Sequence, residues 1–232
     1  MVDDGMKSGP SAESDTKTDA KIAIPFFDEI RKDLQHIATT TASYTEIDEF
    51  ERLYILAAVR RTLSLMVAFQ QSIECGNEQM AATILRLNLD TVARFYALYW
   101  AEETNGMTAE SFAKDVFQGR ELRRMKLRNG KEKATDRWLI TQIAGHGDWI
   151  ESVYESTCGA IHFSDFHMKR VLAQSQGNET QSDGSVKVNV AFGGTEARAD
   201  PGAHPKLNQA FSHISLLLIC AMKGRCGLLP HS

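Results

Sequence analysis

Tyr154, Cys158 and His162 recur every four residues in WIESVYESTCGAIHFSDFHMKR, residues 149–170, and Asp165 follows three residues after His162. On a helix that spacing puts a phenol, a thiol and an imidazole on one face with a carboxylate close behind. A thiol beside an imidazole can ionise and attack, while the imidazole shuttles protons and the carboxylate orients it. The same residues have a plainer explanation, because cysteine commonly packs as a small buried hydrophobe and a helical histidine commonly hydrogen-bonds within a core. A metal centre is the weaker alternative: His162 and His167 are five apart, diverge around a helix and have no third ligand specified nearby. No metal and no cofactor is therefore expected.

Arg86 and Asp90, four apart in a strongly apolar segment, form the second constellation. A charged pair in a buried helix is costly unless each ion is fully hydrogen-bonded, so it is either a structural network or part of a site. Arg86, Asp90 and His162 are expected to meet across the bundle as one polar cluster, with His162 as acid or base and Arg86 stabilising an anion. The third constellation is basic. Residues 120–137 hold Arg120, Arg123, Arg124, Lys126, Arg128, Lys131, Lys133 and Arg137 against Glu121, Glu132 and Asp136. That local balance of +5, in a chain of net charge -4, leaves -9 for the remainder. On a helix Arg120, Arg124 and Arg128 line up at i, i+4 and i+8, a stripe suited to successive phosphates of a nucleic acid or to another polyanion. A solvated helix face has the same composition.

Helices must position these groups. Phe26, Phe27, Ile30, Leu34 and Ile37 recur at helical spacing after Pro25, which suits a first helical turn. Ser43 with Glu46 matches a capping box, predicting a long helix through Leu53, Leu56, Val59, Leu63, Met66 and Ile73 that Gly76 closes. Residues 78–103 follow, apolar over too wide a surface for a helix with one wet side, and the short link at Cys75–Asn77 folds the two into an antiparallel hairpin. Thr108 caps a helix predicted to run through Phe112, Val116, Leu122 and Met125 to about Leu127, which would carry the arginine stripe. Further helices are read over 135–144 and 148–172, and a closing one from Pro205 through Phe211, Ile214 and Leu218 to Gly224. Before it, SVKVNVAF at 185–192 alternates apolar and polar residues; with Asp183-Gly184 as the turn and 176–182 as partner strand it makes a small β-hairpin near 176–192 that must lean on the helices. The fold class is all-α, a helical bundle of about six or seven helices with that single β-hairpin insertion.

At 232 residues, with 43% hydrophobic and 24% charged, the chain can bury one substantial core. A single helical domain is read over 21–232, behind a disordered tail over 1–20 that lacks the large apolar groups needed to offset the entropy of ordering. The net charge gives no global attraction to nucleic acid or anionic lipid, so a polyanion must be drawn by a local patch. Cys75, Cys158, Cys220 and Cys226 include no CxxC pair, so reduced thiols are expected. The N-terminal stretch has no apolar h-region, and the longest apolar run, Ile214 to Met222, is far below the roughly 20 residues of a membrane span. A cytoplasmic protein with no membrane partner is expected. The wide apolar surface of 78–103 calls for central burial or a homodimer.

The string Trp149, Tyr154, Thr157-Cys158-Gly159, Ile161-His162-Phe163-Ser164 and His167, preceded by Thr135-Asp136-Arg137-Trp138-Leu139, resembles a group of uncharacterised bacterial helical proteins similar to domain-of-unknown-function family 5677. Arg86 followed four residues on by an acid in a hydrophobic helix looks like that group too, and the resemblance spans about residues 50–220. The chain departs from it where Cys158 stands in place of serine and Asp90 in place of glutamate, and a position that takes both thiol and hydroxyl reads as packing. The resemblance implies a helical fold and no established activity.

Two function classes stay open. The favoured one is a non-enzymatic binding or regulatory module with 120–137 as its contact surface; bacterial stress or phage defence is the context by analogy. The rival is an enzyme acting on RNA or another phosphate-containing substrate through His162 and Arg86. An enzyme would present both residues in one solvent-connected pocket, whereas a binding module would bury both and leave the basic stripe exposed.

Overall fold

The computed structural model describes residues 16–190, 193 and 202–228, with side chains from Phe26 onward except at 176–178. Helix α1 spans Thr16–Ser43, α2 Glu49–Glu74, α3 Glu78–Glu102, α4 Ala109–Phe117, α5 Asp136–Ile143, α6 Trp149–Ile161, α7 Asp165–Ala173 and α8 Ala203–Arg225. Strands β1 (Ser175–Thr180) and β2 (Val186–Val190) pair antiparallel between α7 and α8. The fold is the expected all-α arrangement with one small β insertion. Its described part has one helix more than foreseen because the segment 148–172 is two helices. Most of the tail expected over 1–20 lies outside the described residues, and α1 begins at Thr16, ahead of Pro25.

α3 is the hub, as its apolar width requires. It packs against α2, α4, α5, α6 and α8, and Leu89, Val92, Phe95 and Leu98 are fully buried. Those neighbours cover the surface that suggested a second copy. Truncating one such side chain to alanine in a close-packed interior costs about 2–5 kcal/mol. Where α1, α2 and α8 meet, the Phe69 and Phe211 rings stack with centroids 4.4 Å apart and Phe27 lies 5.9 Å from Phe211. The α2–α3 hairpin forms as expected, with the Asn77 side chain accepting from the Met80 amide at 3.0 Å. α2 is long and apolar enough to cross a membrane by length and composition. Its Ile55, Val59, Met66 and Phe69 are nevertheless buried in the bundle core.

Two expectations about helix ends are corrected. Ser43 does not cap α2; it ends α1, and its hydroxyl donates to the carbonyls of Thr39 and Thr40 at 3.3 and 3.1 Å. α2 starts behind Asp48, and the free amides of Phe50 and Glu51 are met at 3.2 and 2.9 Å by the Glu110 carboxylate from α4. A tertiary partner thus satisfies a helix start that the local sequence leaves open. α4 does not reach Leu127. It ends at Phe117, where Gly119 takes φ +88°, and the amides of Gly119 and Arg120 close back on the carbonyls of Val116 and Asp115, each at 2.9 Å. This double closure needs a left-handed residue, and glycine adopts that conformation without a Cβ clash. Beyond it one 3-10 turn covers Leu122–Arg124, and Leu122, Met125 and Leu127 are buried along a chain that is no longer an α-helix.

α8 runs through Gly224 to Arg225, with Pro205 in its first turn as expected. The hairpin registers Thr180 opposite Val186 and Ser175 opposite Val190. It does not bury a face, for Val186 and Val188 are both exposed. Its period-2 pattern reflects strand geometry without a core to face.

Candidate functional site

Arg86 projects from the middle of α3 and is 3% exposed. It forms an ion pair with Asp90 one turn on, while its Nε has no hydrogen-bond partner among the described residues. The guanidinium lies 4.3 Å from the ring centre of Tyr154 on α6, and Cys158, also on α6, is close enough to act on its charge. Burial works against the charge of Arg86, but Asp90 and then Cys158 outweigh it and raise its pKa above the ordinary arginine value. Burial likewise pushes the Tyr154 phenol up, with the neighbouring Cys158 acting in the same direction. The two sequence constellations therefore do join, through Tyr154 and Cys158.

His162 is left out of that cluster. It is the exposed C-cap of α6, where the backbone turns extended at φ -109° and ψ 140°. Its side chain makes no ion pair or hydrogen bond with Arg86 or Asp90 among the described residues. Asp165 is past the break and pairs with Lys169 at 2.6 Å, so Cys158, His162 and Asp165 do not share one helical face. His167 serves the backbone at that break. Its Nδ1 accepts from the Ser164 amide at 3.4 Å, while the Ser164 hydroxyl accepts from the Phe166 amide at 3.3 Å and starts α7. Gly159 permits this tight return, because a Cβ there would stand 2.6 Å from the Cβ of Phe166.

The basic segment is not a stripe. With α4 ended, Arg120, Arg124 and Arg128 no longer fall at successive helical turns, and Arg128 sits at φ 57°. Each of the four singled-out arginines has an acidic neighbour: Arg120 pairs with Asp115, Arg123 and Arg124 share Glu121 at 2.7 and 3.0 Å, and Arg128 meets Glu103 at 2.6 Å. Exposed pairs of this kind are individually weak. They still reduce the charge that a phosphate would see.

A cleft of about 600 Å³ opens between α2, α3 and α4, and Asp90 stands in its wall. Leu53, Ala57 and Ala58 of α2 and Val116 of α4 line it, and the Phe50 and Phe117 rings, 5.2 Å apart, sit at one end. The polar edge comes from Arg61 on α2 and from Asp90, Thr91 and Arg94 on α3. Arg86, Asp90 and Arg94 are spaced by four, so one face of α3 carries the buried ion pair into the cleft wall. Nothing matches among known proteins: no family model, no curated protein and no solved structure.

Asp90 offers an 18% exposed carboxylate already neutralised by Arg86. Arg94 pairs with Asp136 at the start of α5, at 2.6 Å. Arg61 donates from Nε to the Thr91 hydroxyl at 3.0 Å and has no carboxylate partner among the described residues. Tyr54, also in the wall, donates its hydroxyl to the Arg94 carbonyl at 2.8 Å, and burial raises its phenol far above the ordinary range, so it stays neutral. Sequence reasoning does not single out Arg61, Thr91 or Arg94. Their signal is present as polar residues interrupting apolar helices, but which face those residues share is set by how α2 and α3 pack.

Proposed function

We propose that this protein is a non-enzymatic binding module of the cytoplasm, and that its ligand sits in the cleft between α2, α3 and α4. The observation that carries the reading is the coincidence of about 600 Å³ of apolar-walled space with polar groups converging on one edge, the usual constitution of a small-molecule site. A regulatory role in bacterial stress or phage defence is the context by analogy. Membership in the group similar to family 5677 belongs to the same proposal, supported by contact between Arg86 and the Tyr154–Cys158 stretch. Catalysis on RNA through His162 and Arg86 has less support, because Arg86 is buried, His162 is exposed, and neither lines the cleft.

The test uses N-phenylnaphthylamine, a neutral apolar dye that fluoresces when it leaves water. The wild-type protein should bind it, and Ala57→Trp, which fills the cleft from an exposed position, should abolish the signal without lowering the thermal midpoint. Equal dye binding by both proteins, or none by either, would remove the cleft reading. One observation favours a second contact: Lys126, Lys131 and Lys133 are exposed and carry no ion pair among the described residues. A polyanion at 120–137 would then be held by these lysines, with the paired arginines contributing little.

A further inference from the structure

Resting on the cleft reading above, we infer that the ligand is a small amphipathic monoanion, its acidic headgroup on Arg61 and its apolar part lying toward Phe50 and Phe117. The polar edge of the cleft holds one more positive charge than its carboxylates neutralise. Arg61, Asp90 and Arg94 are the charged groups that line it; Asp90 is paired with Arg86 behind the wall and Arg94 with Asp136. The charge left over belongs to Arg61, which among the described residues donates only from Nε, to Thr91.

Arg61 is also held in place. The Thr91 hydroxyl donates to the Leu87 carbonyl at 2.9 Å and accepts from Arg61 Nε at 3.0 Å, so the stem of the guanidinium is tethered while neither terminal nitrogen has a partner among the described residues. A fork with two free parallel donors matches a carboxylate, sulfonate or phosphate ester better than a point charge would. Because the tether exists before the ligand arrives, little side-chain freedom is lost on binding.

The cleft dictates the remainder of the ligand. Phe50 and Arg61 are eleven residues apart on α2, which at 1.5 Å per residue is about 16 Å from the aromatic end to the charged end. Leu53 and Phe117 at the mouth stay 45% and 69% exposed, large apolar groups that a hydrophobic tail would cover. A neutral ligand would strip water from Arg61 and leave its charge unmet. A cation would face that charge, and a dianion would exceed it beside the Asp90 carboxylate. One negative charge on an apolar body satisfies every group.

The experiment compares two dyes with one aromatic frame, anilinonaphthalene sulfonate and neutral N-phenylnaphthylamine, by fluorescence titration of the full chain at low and high salt. Wild type should favour the sulfonate, and Arg61→Gln should lower the ratio of sulfonate to neutral affinity by about tenfold or more, the loss typical of a charge-assisted contact. Arg61→Lys should recover part of that ratio. Arg120→Gln, the same change of charge in the basic segment, should leave it unaltered. Laurate should displace the sulfonate dye competitively, and lauryl alcohol should do so more weakly. If the neutral dye binds in the cleft while Arg61→Gln and Arg120→Gln give equal ratios, the anion inference is overturned and the cleft reading survives. If neither dye binds, both fall together.

Discussion

The arginines of residues 120–128 and Arg61 on the cleft wall carry the same charge under opposite conditions. The first are conspicuous in the sequence and each has an acidic neighbour within the fold. Arg61 is inconspicuous, one of two adjacent arginines in the apolar middle of α2, and among the described residues it holds only a hydroxyl. A cluster of charge in a sequence measures how much is present, whereas binding depends on how much is left after the protein has paired its own ions. On this distinction, removing a buried paired arginine should register in stability, removing exposed paired ones should register in little, and removing Arg61 should register in binding.

The largest stability effect should come from Arg225, the most fully paired arginine among the described residues. It joins Glu51 of α2 and Glu102 of α3 at the end of α8, with its own side chain only 13% exposed. Arg225→Ala leaves the buried Glu51 carboxylate uncompensated and should cost about 3–5 kcal/mol in urea unfolding. Its pH dependence has a definite sign. Burial already holds the Glu51 pKa above 4.5 despite Arg225, so the folded state binds a proton at higher pH than the unfolded chain does. That contribution is fully present below about pH 4.5 and is lost as pH rises through the folded pKa. Without Arg225 the shift grows, so the variant's deficit should be larger near pH 7 than near pH 4, a trend equilibrium melts will show.

Arg86 crosses the boundary between the two classes and is the sharpest challenge to it. Arg86→Met should destabilise by about 1–3 kcal/mol, less than Arg225→Ala, because Asp90 is partly open to the cleft. It should also weaken the sulfonate dye, since the Asp90 charge is then uncovered beside the headgroup. Asp90→Asn in the same background should return the affinity; no recovery would mean that Arg86 acts on the cleft by packing alone.

The smallest effects belong to the basic segment. Replacing Arg120, Arg124 and Arg128 together by alanine should leave the thermal midpoint within scatter and the salt dependence of RNA binding unchanged. Replacing Lys126, Lys131 and Lys133 should reduce the slope of log affinity against log salt by about 0.7–0.9 for each phosphate no longer neutralised. A reversed result, with the arginines dominating the slope, would show that their ion pairs exchange freely for phosphate and would dissolve the contrast with Arg61.

Much of the architecture was legible residue by residue. The central place of 78–103, the hairpin closed at Cys75–Asn77, the turn before Val186 and the last apolar helix follow from periodicity and turn chemistry that act over a few residues. The errors share one cause, competition between two local signals. Ser43 could cap one helix or end another, and α1 runs on past Ile37 to it, with Thr41 buried and its hydroxyl 3.1 Å from the Cys226 sulfur. Leu122 and Met125 kept a helical spacing, but Gly119 had already closed α4, and those two side chains reached the core from a 3-10 turn. Among the candidate residues, Arg86 and Asp90 paired as their spacing required, whereas His162 was lost to a helix break that Ser164 and His167 stabilise.

By itself, the sequence determined the helical class and the cores of most helices, that residues 78–103 must be covered on nearly every side, and that an arginine and an aspartate would share one turn of that buried helix. These are consequences of backbone geometry and of the cost of wet apolar surface, and they need no knowledge of the neighbours. Only the tertiary structure decided that Arg120, Arg123, Arg124 and Arg128 find carboxylates, that Tyr154 and Cys158 take the place expected of His162, and that Arg61 meets α3 beside an open cleft. Pairing and exposure depend on which surfaces face each other, and the angles at which helices pack are set by side chains far apart in the chain.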